Sequence, residues 1–206
     1  MLEQALEIAA VAVPAVLAVT VHEVAHGWMA RWCGDPTAAQ AGRLSLNPLR
    51  HVDPIGTVLL PVALKLMGAP FLFGWAKPVP VNWQRLRHLR LGLALVAFAG
   101  PLSNLLMMLG WLLAFLAAPH GPLMEAMCWT GVVFNATILV LNLIPIPPLD
   151  GSRIITAMLP ARIGALYNRL EPFGLVLTAL LLATGAFGAL MTPTMQWVQQ
   201  LARLLA

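Results

Sequence analysis

Residues 91–118 form a run of 28 positions without a single charged or histidine side chain. Wound as a helix, such a run reaches about 42 Å, more than the roughly 30 Å of a bilayer's hydrocarbon layer. Inside a soluble domain it would have to be surrounded on every side, which a chain of 206 residues cannot do while keeping a wettable surface. Three further runs, 6–31, 123–143 and 173–190, are also predominantly apolar, although the first two carry a few ionisable side chains. The whole chain is 60% apolar and 10% charged, whereas soluble domains run near 45–50% and about 25%. These features imply an all-α integral membrane protein: a bundle of four transmembrane helices, with backbone polar groups satisfied within each helix. Soluble enzymes, disordered tails and nucleic-acid-binding modules are excluded as main readings.

The net charge of +4 does not reopen the nucleic-acid reading. Ten of the twelve Lys and Arg residues fall in three gaps, 31–50, 77–90 and 153–169. The gap at 119–122 has none. The positive-inside rule then places the N-terminus outside and the three basic gaps in the cytoplasm, so the bilayer is the expected partner and no nucleic acid is. The stretch 55–80, with both ends on the cytoplasmic side, is expected to be re-entrant or interfacial. The tail from Thr194 reads as an amphipathic helix. Cys33 and Cys128 fit no disulfide or zinc-knuckle spacing and read as packing residues. The first four residues lack the positive region of a signal peptide, so the first apolar run is expected to remain in the mature chain. No repeat or long linker divides residues 1–206, which are read as one polytopic domain.

The first run contains His22-Glu23-Val24-Ala25-His26. Residues four apart share a helical face, so both imidazoles can reach one metal ion, with Glu23 beside them as candidate general base. Ionisable groups in a spanning helix cost on the order of 2.5–3.5 kcal/mol each at mid-depth, so three together point to function. A catalytic zinc site needs a third protein ligand and one open position. Asp150, after Asn142 and the Pro145, Pro147 and Pro148 breaks, lies on the same membrane side. It reads either as that ligand or as the N-cap of a short helix at 152–159. His51 with Asp53 is a rival ligand pair, although Asp53 before Pro54 also suits a helix start. His120 falls on the opposite face. A bound zinc supplies an acidified water and a Lewis acid; Glu23 would take the proton and pass it to a leaving amine.

These motifs resemble those of the site-2 protease family of intramembrane zinc metalloproteases, in particular its small prokaryotic members. His22-Glu23-x-x-His26-Gly27 is similar to the family's first motif, and Asn142-x-x-Pro145-x-Pro147-x-x-Asp150-Gly151 to its second. Ala99-Gly100-Pro101-x-x-Asn104 fits the pattern on the intervening span, and segments 42–48 and 74–82 are similar to its connecting loops. The resemblance implies one Zn2+ per chain on His22, His26 and Asp150, with Glu23 as catalytic acid/base. It also implies that Asn142 lies near the substrate or the oxyanion, with Asn104 a further candidate for that role, although an amide inside a span also serves simply to join helices. Larger members carry PDZ or CBS domains, for which these 206 residues hold no segment. The expected activity is endoproteolysis within or near the transmembrane segment of single-span proteins, in a prokaryotic cytoplasmic membrane. It would release signalling fragments or clear signal-peptide remnants. Phe73, Gly74, Trp75 and Val79 are expected to form an edge that holds the unwound substrate. The competing function is a divalent-metal transporter or channel lined by the same His and Asp side chains.

Overall fold

Helix α1 (Leu2–Trp32) and helix α4 (Leu89–Ala117) are long because nothing in their apolar runs stops them, although Pro14 and Pro101 lie inside. The computed structural model describes residues 2–69, 74–117 and 121–205. Helix α5 (Pro122–Leu143) completes the central trio with α1 and α4. Four segments are long and apolar enough to cross a membrane: Gln4–Trp32, Leu89–Ala117, Pro122–Leu143 and Ala161–Ala183. The protein is an all-α, multi-pass membrane bundle, and no β-strand occurs among the described residues.

Helix α1 ends where Gly34 takes a φ of +110°, open to glycine at little cost, and the Asp35 amide closes back on the Ala30 carbonyl at 2.8 Å. The short helix α2 (Thr37–Gln40) follows. Asp53 then caps a π-helical turn, Pro54–Leu59, by accepting from the amides of Ile55 and Gly56. The turn continues as helix α3 (Leu60–Leu66). Thirteen helical residues cover only about 20 Å, and the chain comes back. The Trp75 amide donates to the Gly56 carbonyl (3.1 Å) and the Lys77 amide to the His51 carbonyl (2.9 Å). A Cβ on Gly56 would lie 2.3 Å from the Trp75 ring, so the returning leg rests directly on that glycine. The leg from residue 74 onward thus lies against the start of the stretch, at His51 and Gly56.

The fourth apolar run is divided differently from the sequence expectation of 173–190. Helix α6 (Asp150–Met158) and helix α7 (Ala161–Asn168) precede helix α8 (Gly174–Ala183), which stops at Gly185, φ +75°. Hydropathy averages across that glycine, but a left-handed residue cannot continue an α-helix. By length and composition the candidate spanning segment is Ala161–Ala183, in which a turn joins α7 to α8. Helix α9 (Ala186–Leu205) starts eight residues before the expected Thr194. Its Val198 is buried against Met108, Leu112, Val132 and Ala136, so one face of this tail belongs to the bundle core.

Candidate metal centre

A span that carries two histidines must bury them against a neighbour small enough to admit the rings. On α4 that neighbour is Gly100. A Cβ there would sit 2.4 Å from His26 Nε2 and 2.5 Å from His22 Cε1. Through this gap both rings reach α4. His26 Nδ1 lies 2.7 Å from the Val96 carbonyl oxygen, and His22 Nδ1 lies 2.7 Å from Asn104 Oδ1. A carbonyl only accepts, so His26 carries its proton on Nδ1. The Asn104 amide nitrogen donates to the Ala18 carbonyl (3.1 Å) and to Asn135 Oδ1 (2.9 Å). Its oxygen thus faces His22, which also carries its proton on Nδ1. Both Nε2 lone pairs are left pointing the same way.

Asp150 meets them there. It is the first residue of α6, whose N-cap is Leu149, and its side chain makes no capping bond. The helix-cap alternative for Asp150 is thereby excluded. A Cβ on Gly151 would lie 2.3 Å from the Leu143 carbonyl oxygen, so only glycine lets α6 fold back onto the end of α5 and turn the carboxylate inward. Asp150 Oδ2 is 3.2 Å from His22 Nε2 and 3.3 Å from His26 Nε2, and the two nitrogens are 3.0 Å apart. That oxygen is buried and has no hydrogen-bond partner. Three lone-pair atoms at such distances repel unless a cation lies among them. Three corners of a tetrahedral zinc site with ~2.0–2.1 Å bonds are about 3.3–3.4 Å apart, so the donor set fits zinc in chemistry and in spacing. Among the described residues this is the one His/Cys/Asp/Glu group able to hold a metal. Asp53 is engaged in its helix cap, and His51 Nε2 in a bond to the Ser45 carbonyl (2.8 Å).

The centre opens on a cavity of about 740 Å3, lined by Glu23, Asn142, Gly74, Trp75, Ala76 and Val79 among others. Glu23 Oε2 accepts the Val79 amide proton at 2.8 Å. Asn142 donates to the Ile138 carbonyl (3.0 Å) and lies on the cavity wall. Asn104 stands elsewhere: it is fully buried, and its oxygen and nitrogen are engaged by His22, Ala18 and Asn135. Of the two sequence readings of Asn104, beside substrate or joining helices, these contacts fit the second, with His22 as the side chain it positions. Asn104→Leu should weaken metal binding by about 10–100-fold, as loss of a partner to a ligating histidine does. Chelator competition measures this, and unchanged affinity would refute the positioning role.

Phe73, like His120, lies outside the described residues. Gly74, Trp75 and Val79 lie on the returning leg, without helix or turn from 74 to 82. Every second amide there is already engaged within the protein: Trp75 by Gly56, Lys77 by His51 and Val79 by Glu23. Val79 therefore offers its N–H to Glu23 and not to a guest strand. The leg is pinned at its far end by Asp35, whose Oδ2 accepts from the Asn82 amide at 2.6 Å. Burial would raise the Asp35 carboxyl, but hydrogen bonds from Thr37 and Asn82 hold it below its ordinary value. Sequence reasoning missed Asn135, the Val96 carbonyl, and the Arg153–Glu171 ion pair (2.8 Å) at the cavity wall. Of these, only Asn135 left a signal: a second amide in an otherwise apolar span.

Among curated proteins the chain is 38% identical over 178 residues to a Bacillus subtilis protein named "Putative zinc metalloprotease YwhC", covering 82% of this chain and 78% of that one. A Mycolicibacterium smegmatis protein named "Putative zinc metalloprotease Rip2" is 29% identical over 188 residues, covering 88% of this chain and 69% of that one. The Rip2 of Mycobacterium tuberculosis is 38% identical over 135 residues, covering 64% of this chain and 50% of its own length. No family profile and no solved structure matches.

Proposed function

The chain belongs to the site-2 protease family of zinc metalloproteases, and from that premise we propose that it cuts single-span membrane proteins within or near their transmembrane segments. The observation that carries this reading is the convergence of Asp150, from α6, on His22 and His26 of a membrane-length helix, with Glu23 beside them on one open cavity. Counted along α1 from Arg31, His26 and His22 lie about 7 and 13 Å up the helix. The site thus sits inside the bilayer, toward the face with most basic residues.

His22, His26 and Asp150 would hold one zinc ion. When bound, the metal supplies an acidified water and charge stabilisation for the attacked carbonyl. Glu23 takes a proton from the attacking water and returns it to the leaving amine. Its Val79 hydrogen bond orients the carboxylate for this work. The Asn142 amide, on the cavity wall, is positioned to bind the substrate backbone. A transmembrane substrate hides its carbonyls in its own helix, so it must unwind. The leg 74–82 suits an extended guest: with Trp75, Lys77 and Val79 bonded inward, the amide and carbonyl of Ala76 and the carbonyl of Pro78 are left for the other side. Charge placement supports an N-terminus outside a prokaryotic cytoplasmic membrane, and the substrate classes are signalling precursors or signal-peptide remnants.

Purified protein in detergent should cleave a single-span substrate at or near its membrane segment. A chelator should abolish cleavage, and added zinc should restore it. Cleavage that persists in chelator overturns the metal mechanism. No cleavage, together with metal uptake into protein-loaded liposomes, would instead establish the transporter reading.

A further inference from the structure

A second cavity of about 740 Å3 lies on another face of the α1–α4 pair, away from the metal ligands. Its walls are one stripe from each helix, including Ala25 and Met29 of α1 and Ala99, Leu102, Ser103 and Leu106 of α4. The spacing i, i+3, i+4, i+7 on α4 (99, 102, 103, 106) makes this a continuous groove along the helix pair. Its depth comes from small side chains at positions 25, 99 and 103. Ser103 turns its hydroxyl away from the groove's chemistry, onto the Gly100 carbonyl (2.7 Å).

The cytoplasmic end of the groove differs in character. Arg31 and Arg87 line it together with Trp28 and Trp32, which are 54% and 79% exposed. Exposed tryptophans at a helix end mark the headgroup level of a bilayer. The Arg31 guanidinium lies over the Trp28 ring, 5.4 Å from its centroid, which holds the charge at the groove mouth. Among the described residues neither Arg31 nor Arg87 joins an ion pair; the three that occur engage other residues. The neighbouring acid, Asp35, is engaged by Thr37 and Asn82. The surrounding segment 31–90 carries eight Lys and Arg against two Asp.

An apolar trough ending in two uncompensated guanidiniums at headgroup depth is complementary to one kind of molecule. We propose that this groove binds one anionic phospholipid of the cytoplasmic leaflet, its phosphate between Arg31 and Arg87 and an acyl chain along Ala25, Ala99 and Ser103. The proposal stands independently of the protease reading, but it bears on the metal centre. Ala25 is next to His26 in sequence, and Ala99 precedes the Gly100 on which both histidine rings rest. A lipid in the groove packs the back of the same seam whose front holds the metal ligands. It therefore holds the α1–α4 spacing that those ligands need.

The test uses the full chain in a neutral detergent. Retained lipid is counted by native mass spectrometry, and the unfolding midpoint is followed as phosphatidylglycerol, phosphatidylcholine or inorganic phosphate is added. Phosphatidylglycerol should be retained at one per chain and raise the midpoint, whereas the other two should do neither. Arg31→Gln with Arg87→Gln should weaken retention about 30-fold, the equivalent of ~1 kcal/mol for each arginine at a membrane surface. Ser103→Leu fills the trough, leaves both arginines in place and should also lose the lipid. Arg203→Gln, at an exposed arginine on α9, should change nothing. Equal retention of phosphatidylcholine would overturn the headgroup part, and a midpoint rise with phosphate alone would make this a free-anion site. Wild-type retention in Ser103→Leu, or no retained lipid in the wild type, would overturn the groove.

Discussion

Glu23→Gln should lower the turnover of a membrane-spanning substrate by a factor of about 10²–10⁴ while the protein keeps its full complement of metal. The reasoning separates two jobs that lie side by side on α1. The atoms that converge on one point, where a cation would fit, are His22 Nε2, His26 Nε2 and Asp150 Oδ2. Glu23 is outside that set and holds the Val79 amide instead. A glutamine has the same shape, and its amide oxygen can accept from Val79 as the carboxylate does, so the returning leg stays where it is. What a glutamine cannot do is take a proton from water and give it to an amine. Metal content by atomic absorption, beside turnover of a single-span substrate, checks both halves. Undiminished turnover would remove Glu23 from the chemistry, and loss of metal would place it among the ligands.

The second large effect should come from a residue with no polar side chain. Gly100→Ala puts a methyl 2.4 Å from His26 Nε2, 2.5 Å from His22 Cε1 and 2.6 Å from His26 Cε1. Neither ring can step aside and keep its partner, because His26 is tied to the Val96 carbonyl and His22 to Asn104. Either the rings leave the metal position or α4 moves off α1. Overpacking of this kind costs about 1–3 kcal/mol in stability, and disordering two ligands should weaken metal binding by about 100-fold or more. Gly110→Ala, on the same helix but with nothing within 4 Å of the added carbon, should leave metal binding unchanged. Isothermal titration of the two variants with zinc decides the matter. Wild-type affinity in Gly100→Ala would mean that α4 does not back the histidines as described.

Both predictions show how unevenly the site was legible beforehand. His22, Glu23 and His26 could be read at once because their spacing is local: residues four apart share a face in any α-helix. Asp150 could be placed only on the same side of the membrane as the histidines, and its alternative as a helix cap survived until the structure put Leu149 at the cap. Asn104 was visible as an amide in an apolar span, but whether it faced substrate or a histidine depends on which neighbour lies across the helix interface. Val79 was expected to serve a guest strand, yet its amide is held by Glu23, 56 positions away in the chain.

Chain order alone determined the membrane class and the helical class. These follow from the cost of burying charge and unpaired backbone in hydrocarbon, a cost that accumulates along a run and needs no knowledge of neighbours. The same reasoning led to the expectation that 55–80 returns to its starting side; the bonds from Trp75 to Gly56 and from Lys77 to His51 lay its last leg against its start. Only the tertiary structure decided where the last apolar run breaks, because Gly185 ends α8 by its dihedral angle and not by its polarity. Only it decided that Gly100 makes room for two imidazoles and that Gly151 turns Asp150 toward them. The contact of Gly100 with His22 and His26 joins residues tens of positions apart across distances of a few ångströms. No local pattern encodes it, since it exists only once the helices are packed side by side.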